Sequence, residues 1–179
     1  MIRYADGGFY VRDAAPTDIP LYAQLLRNDA WLFNSGFKKD EYLEDDQILK
    51  FLTKEHPNDI KWVCFHGEKG FVSFVHFNVI SNDCAVAIGG MVPRYLNSGL
   101  GIKYYAWCID LYFKMGLQEK VRSNVYQENL RSCKMNIGLG FELVGLKCFG
   151  NLKFDVYETD RNHFYNSPIA MRILRQQSK

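Results

Sequence analysis

The stretch "GGMVPRYLNSGLGIKYY", Gly89 to Tyr105, decides how the rest of the chain is read. It passes from an apolar end through a proline and an Asn-Ser-Gly turn to a second glycine, directly ahead of a helical pattern. Ile102, Tyr105, Ala106, Ile109 and Phe113 recur at three- and four-residue spacing, so Gly101 to Met115 reads as a helix. A strand ending at Val92 and a helix starting near Gly101 leave backbone N–H groups free at the helix N-terminus. Unpaired donors and the helix dipole together attract phosphate there. Asn97 tolerates positive φ, and Gly99 and Gly101 permit close approach of a ligand. The dinucleotide fingerprint is absent, because no third glycine follows Gly101, and no Gly-Lys-Ser/Thr marks a P-loop. Taken alone, the loop could also be a plain strand-to-helix connection.

Outward from that loop the pattern is regular. "CAVAIGGMV" before it suits a buried strand, and "IKWVCFHG" and "GFVSFVHFNVI" flank a hairpin turn at Glu68-Lys69. Further upstream, "GFYVRDA" (Gly8 to Ala14) is a strand. "APTDIPLYAQLLRND" is a helix with Thr17 and Asp18 as N-cap candidates. "DAWLFNSGFKK" reads as a loop, and "DEYLEDDQILKFLTKEHPND" as a second helix closed by Pro57-Asn58-Asp59. Downstream, "EKVRSNVY" is a strand and "NLRSCKMNIGLGF" a short helix ending in glycines 138 and 140. "ELVGLKCFG" and "LKFDVYETD" form a hairpin through Gly150-Asn151, and the tail "RNHFYNSPIAMRILRQQSK" could add a last helix. The order β-α-α-β-β-β-α-β-α-β-β predicts an α/β (α+β) domain over 1–179. It is one mixed sheet with helices on both faces, a core of about 9–158 and a tail of 159–179.

Bulk composition narrows the function classes. With 179 residues, 47% hydrophobic and 15% aromatic, the chain can bury a sizeable core. A net charge of +2 is too mild for a nucleic-acid binder, and no run of about 18 apolar residues predicts a membrane span. No signal-peptide pattern is visible at the N-terminus, so a cytoplasmic location is expected. Cysteines 64, 84, 108, 133 and 148 contain no C-x-x-C pair, which leaves metal and redox readings without support.

Two segments resemble motifs of one family, the GCN5-related N-acetyltransferase (GNAT) superfamily. Its motif A commonly reads V-x-P-x-x-(Arg/Gln)-Gly-x-Gly-x-Gly/Ala. Laid on "MVPRYLNSGLG", Met91 takes the Val place, Pro93 the Pro, and Gly99 and Gly101 the last two small residues. Leu96 stands where Arg or Gln is usual, and Asn97 replaces the first Gly. "NLRSCKMNIGLGF" resembles motif B through Asn129, Ser132, Gly140 and Phe141. The element order is similar across roughly Phe9 to Glu158.

The resemblance implies a splay between the fourth and fifth strands that holds acetyl-CoA or another acyl-CoA, with no metal. The backbone of Leu96, Asn97, Gly99, Leu100, Gly101 and Ile102 would cradle the pyrophosphate. Met91 would hydrogen-bond the pantetheine arm, near an amide that polarises the thioester carbonyl, and Asn129 and Ser132 would meet the cofactor from motif B. Arg94 could compensate for Leu96, while Lys103, Arg131 and Lys134 could reach the 3′-phosphate or simply face solvent. The usual motif B Tyr is replaced by Asn136, and "CAVAIGG" has no acid, so the general acid is sought elsewhere. Tyr126 is the first candidate; His76, His163 and Tyr165 have alternative readings as packing residues. Trp31, Phe33, Asn34 and Phe37 stand where this family recognises the acceptor. The expected activity is N-acylation of a small-molecule amine, with an amino sugar nucleotide the favoured acceptor. A protein N-terminus as acceptor and a catalytically silent acyl-CoA-binding module remain alternatives, and a homodimer is left open.

Overall fold

The computed structural model describes residues 2–6, 8–36 and 43–176. Its strands are β1 (Ile2–Asp6), β2 (Phe9–Asp13), β3 (Ile60–His66), β4 (Gly70–Val79), β5 (Cys84–Met91), β6 (Lys120–Tyr126), β7 (Glu142–Phe149) and β8 (Leu152–Asp160). Its helices are α1 (Ile19–Leu26), α2 (Asp29–Asn34), α3 (Asp45–Leu52), α4 (Leu100–Met115), α5 (Leu130–Gly138), α6 (Arg161–Asn166) and α7 (Pro168–Arg175). The strands form one eight-stranded sheet in the order β1-β2-β3-β4-β5-β6-β8-β7. Neighbours are antiparallel except β5 and β6, which run parallel because α4 carries the chain across between them.

Helices cover both faces, and each face has its own core. On one side α4, α6 and α7 bury Tyr104, Ile109, Tyr112, Phe113, Phe164 and Ile173 against strand residues such as Trp62, Val75 and Phe77. On the other side Tyr22, Leu25, Leu26, Ile48 and Leu52 from α1 and α3 meet Val63, Phe71 and Phe74. Central strands covered on both faces read as continuous apolar runs rather than alternations, which explains "GFVSFVHFNV".

Four differences from the sequence expectation have local causes. The N-terminal residues add β1, paired with β2, so the opening expected between strands four and five lies between β5 and β6. "DAWLFN", read as a loop, is the short helix α2; the Asn28 side chain caps it by accepting from the Ala30 N–H at 3.0 Å. Asp18 does not cap α1 through its side chain. Its carboxylate accepts from the Ala15 N–H and pairs with Arg12 at 2.6 Å. The tail supplies two helices, started by Asp160 and Ser167 as N-caps, and the packed core continues past 158 into them.

Four cysteines are buried and Cys148 is exposed, all as free thiols. Among the described residues no helix is long and apolar enough to cross a membrane, and no cluster of three His, Cys, Asp or Glu could hold a metal.

Candidate active site

The β5–β6 pair opens partway along its length. Register runs Cys84–Lys120, Ala85–Val121, Val86–Arg122 and Ala87–Ser123, then stops, while β5 continues to Met91 and β6 to Tyr126. The two strands therefore diverge over their last residues, and the main chain of β5 after Ala87 has no strand partner on that side.

At the end of the opening lies the loop from Val92 to Ile102. A single 3₁₀ turn, Pro93–Tyr95, is followed by Asn97 at φ 66° and Gly99 at φ 77°, both left-handed. Some amides of the loop are consumed internally: Leu96 N–H bonds Pro93 O at 3.0 Å, and Leu100 N–H lies 3.3 Å from Ser98 Oγ. Those of Asn97, Gly99, Gly101 and Ile102 have no acceptor among the described residues. They sit at the N-terminus of a 16-residue helix, where free donors and the dipole favour an anion. A Cβ built on Gly99 would meet nothing within 4 Å, whereas one on Gly101 would touch the Met91 side chain at 3.5 Å. The residues present thus fit a pyrophosphate, through four of the six amides expected from the sequence.

The other motif residues gather at the same end. Asn129 caps α5 by accepting from the Ser132 N–H at 3.2 Å, and its own N–H bonds Tyr126 O at 2.8 Å. Its side-chain amide donates to Asn34 O at 3.1 Å, which ties the end of α2 to the end of β6. A Cβ on Gly36 would lie 3.2 to 3.5 Å from Leu152, Phe154 and Tyr126, so the turn after α2 rests on β6 and β8. Trp31 anchors α2 to β5: its indole nitrogen would be 2.8 Å from a Cβ on Gly90.

Individual candidates divide as follows. Tyr126 stands half-buried beside Phe154, ring centroids 5.7 Å apart; loss of solvent and the neighbouring Glu128 carboxylate push its phenol up. Glu128 escaped the sequence reading, although its place between Tyr126 and Asn129 was a usable signal. Phe33 is exposed, and Asn34 turns its side-chain amide back onto Ala30 O at 2.6 Å. Phe37 lies outside the described residues. Asn136 is 1% exposed, donates to Ser132 O at 2.9 Å, and has no partner for Oδ1 among the described residues. Arg94 stacks over Tyr95 and donates to Lys69 O, on the β3–β4 turn. Lys103 is half-buried, and Arg131 and Lys134 are exposed.

Three further candidates pack instead. His76 is fully buried with Nε2 2.7 Å from the Tyr22 hydroxyl; burial and then Lys61 push its imidazole well down. Tyr165 donates to Asp110 at 2.9 Å, and His163 sits on the α6 cap residue Asp160. Two open concavities, of about 750 Å³ beside α7 and about 470 Å³ around Gly116 and Arg161, touch no motif residue.

Spermidine N-acetyltransferase from Vibrio cholerae, in complex with CoA and spermine, superposes with a TM-score of 0.77 at 16% identity, over 90% of this chain and 100% of that one. An uncharacterized protein from Bacillus halodurans gives 0.76 at 13% identity, covering 92% and 91%. The aminoglycoside acetyltransferase AAC(6′)-Ib, in complex with coenzyme A, gives 0.74 at 12% identity, covering 89% and 98%. The chain has the GNAT fold. No family model matches the sequence, and no curated protein matches it either.

Proposed function

We propose that the chain is an acyl-CoA-dependent N-acyltransferase that acetylates a primary amine of a small molecule. One observation carries this reading: β5 and β6 part after Ala87 and Ser123, directly in front of four unpartnered amides at the N-terminus of α4. The named neighbours are acetyltransferases of spermidine and of aminoglycosides, which supports an amine acceptor. An amino sugar nucleotide remains the favoured acceptor among those to be assayed.

In this reading the amides of Asn97, Gly99, Gly101 and Ile102 hold the pyrophosphate. The freed main chain of β5 from Ile88 to Met91 takes the pantetheine as an added strand. A thioester supplies an acyl carbon open to direct attack by a neutral amine. An N–H of the same β5 edge polarises the carbonyl oxygen, where charge develops. Tyr126 gives its phenol proton to the departing thiolate, and the proton that nitrogen sheds as the amide forms, carried by water, restores the phenol; loss of solvent and then the Glu128 carboxylate push the phenol up, so the protonated form is the resting one. Asn136 takes no part, since it is buried and an amide is no acid. The amine approaches between the Ser35–Gly36 turn and the β7–β8 hairpin, the side on which Tyr126 stands.

Calorimetry with CoA and with acetyl-CoA tests the cofactor. A free-thiol assay over amino sugar nucleotides, amino acids, polyamines and peptide N-termini tests turnover. Absence of CoA binding overturns the reading. Tight binding with no thiol release from any acceptor would replace it with a silent acyl-CoA-binding module.

A further inference from the structure

The outer strand β7 is an unusual edge. It ends the sheet, and its eight residues are exposed along their whole length. Leu143, Val144, Leu146 and Phe149 are 61, 51, 55 and 60% exposed. Edge strands facing water are normally short, charged, bulged, interrupted by proline or covered. β7 has one lysine and one bulge, no proline, and nothing pairs with its outer side among the described residues, so four large apolar side chains stay in water.

A bulge sets which residues share a face. Glu142 stands opposite Glu158 and Leu143 opposite Tyr157. After the irregularity at Val144, Gly145 stands opposite Val156, Leu146 opposite Asp155 and Lys147 opposite Phe154. Glu142 and Lys147, five residues apart, would face opposite ways in a regular strand. With the bulge they share one face, and Leu143 and Leu146 share the other. That second face is flanked by α5, whose Cys133 shares a buried cluster with Tyr157 and which exposes Leu130 and Ile137 at 64 and 60%.

This pattern is self-complementary. In antiparallel pairing about a two-fold axis, a central residue meets its own copy and the flanking residues pair reciprocally. With Val144 bulged out of the count in both copies, a register centred on Gly145 sets Glu142 against Lys147 of a second copy and Leu143 against Leu146 of that copy, each twice. A Cβ on Gly145 would meet nothing within 4 Å, so the axis is open to close approach. A parallel arrangement would oppose like charges instead. Among the described residues Glu142 has only a 3.6 Å contact to the exposed ring of His163, and Lys147 has no acidic partner.

We propose that β7 is the seam of a homodimer, in which two copies pair edge to edge about Gly145 and join their sheets. The proposal is independent of acyl transfer. Sedimentation is expected to give the wild type twice the chain mass of 20.8 kDa. Glu142→Lys or Lys147→Glu alone should weaken self-association about tenfold, because both cross-strand pairs become repulsive. The double variant E142K/K147E should restore it; both positions are exposed, and circular dichroism checks the fold. A monomeric wild type, an open-ended assembly, single reversals without effect, or a double variant no tighter than the singles would each overturn the seam.

Discussion

At the scale of single residues, the two polar side chains that matter most do opposite things with a proton. Tyr126 is half-buried, and loss of solvent and then the Glu128 carboxylate push its phenol up, so it stays protonated; in the proposed reaction that proton goes to the thiolate. Tyr126→Phe is expected to lower kcat about a hundredfold, the lower end for a lost general acid, with KM little changed. Free-thiol release at saturating acetyl-CoA reads it. His76 is a stability group. Burial holds it neutral, whereas a histidine in the unfolded chain takes up a proton near pH 6.5. Below that pH the unfolded state binds more protons than the folded state, so stability falls as pH drops from 6.5. Urea unfolding at pH 7 and pH 5 should show that loss, and His76→Gln should flatten the difference between the two pH values.

At the scale of elements, the loop from Val92 to Ile102 works because its residues tolerate left-handed backbone at Asn97 and Gly99. Asn97→Asp keeps that tolerance and the side-chain size, yet places a negative charge among the amides. Affinity for CoA should fall about tenfold or more by calorimetry, with the thermal midpoint unchanged. Gly90 serves the neighbouring element. Any Cβ there would lie 2.5 Å from Phe74, 2.8 Å from Trp31 and 2.9 Å from Leu25, so a bare backbone lets α2 sit down on β5. That seat carries the Ser35–Gly36 turn across to Tyr126 and Phe154, where the acceptor would pass.

At the scale of the whole molecule, the C-terminal helices complete the larger core rather than trailing from it. Phe164 is fully buried against Phe113 and Tyr165, and Ala170 and Ile173 join the same cluster. Phe164→Ala should cost about 3–5 kcal/mol in denaturant unfolding, as for other buried aromatic truncations. The same tail escaped the sequence reading as core because "RNHFYNSPIAMRILRQQSK" is polar on average; its buried apolar positions, Phe164, Ala170 and Ile173, are few and spread over two short capped helices.

What the sequence determined by itself was local: the periodicity of α4, the hairpin turns, the positive-φ residues of the α4 loop, and the Asn129 cap that begins α5. Each depends on residues a few positions apart. Only the tertiary structure decided where β5 and β6 part, that Asn129 reaches Asn34 and Gly36 reaches Phe154, that Asn136 is buried, and that a bulge turns Glu142 and Lys147 to one face. Those features arise from pairings between residues from about ten to over a hundred positions apart, and neither hydrophobic period nor turn chemistry encodes which distant partner a strand or loop will meet.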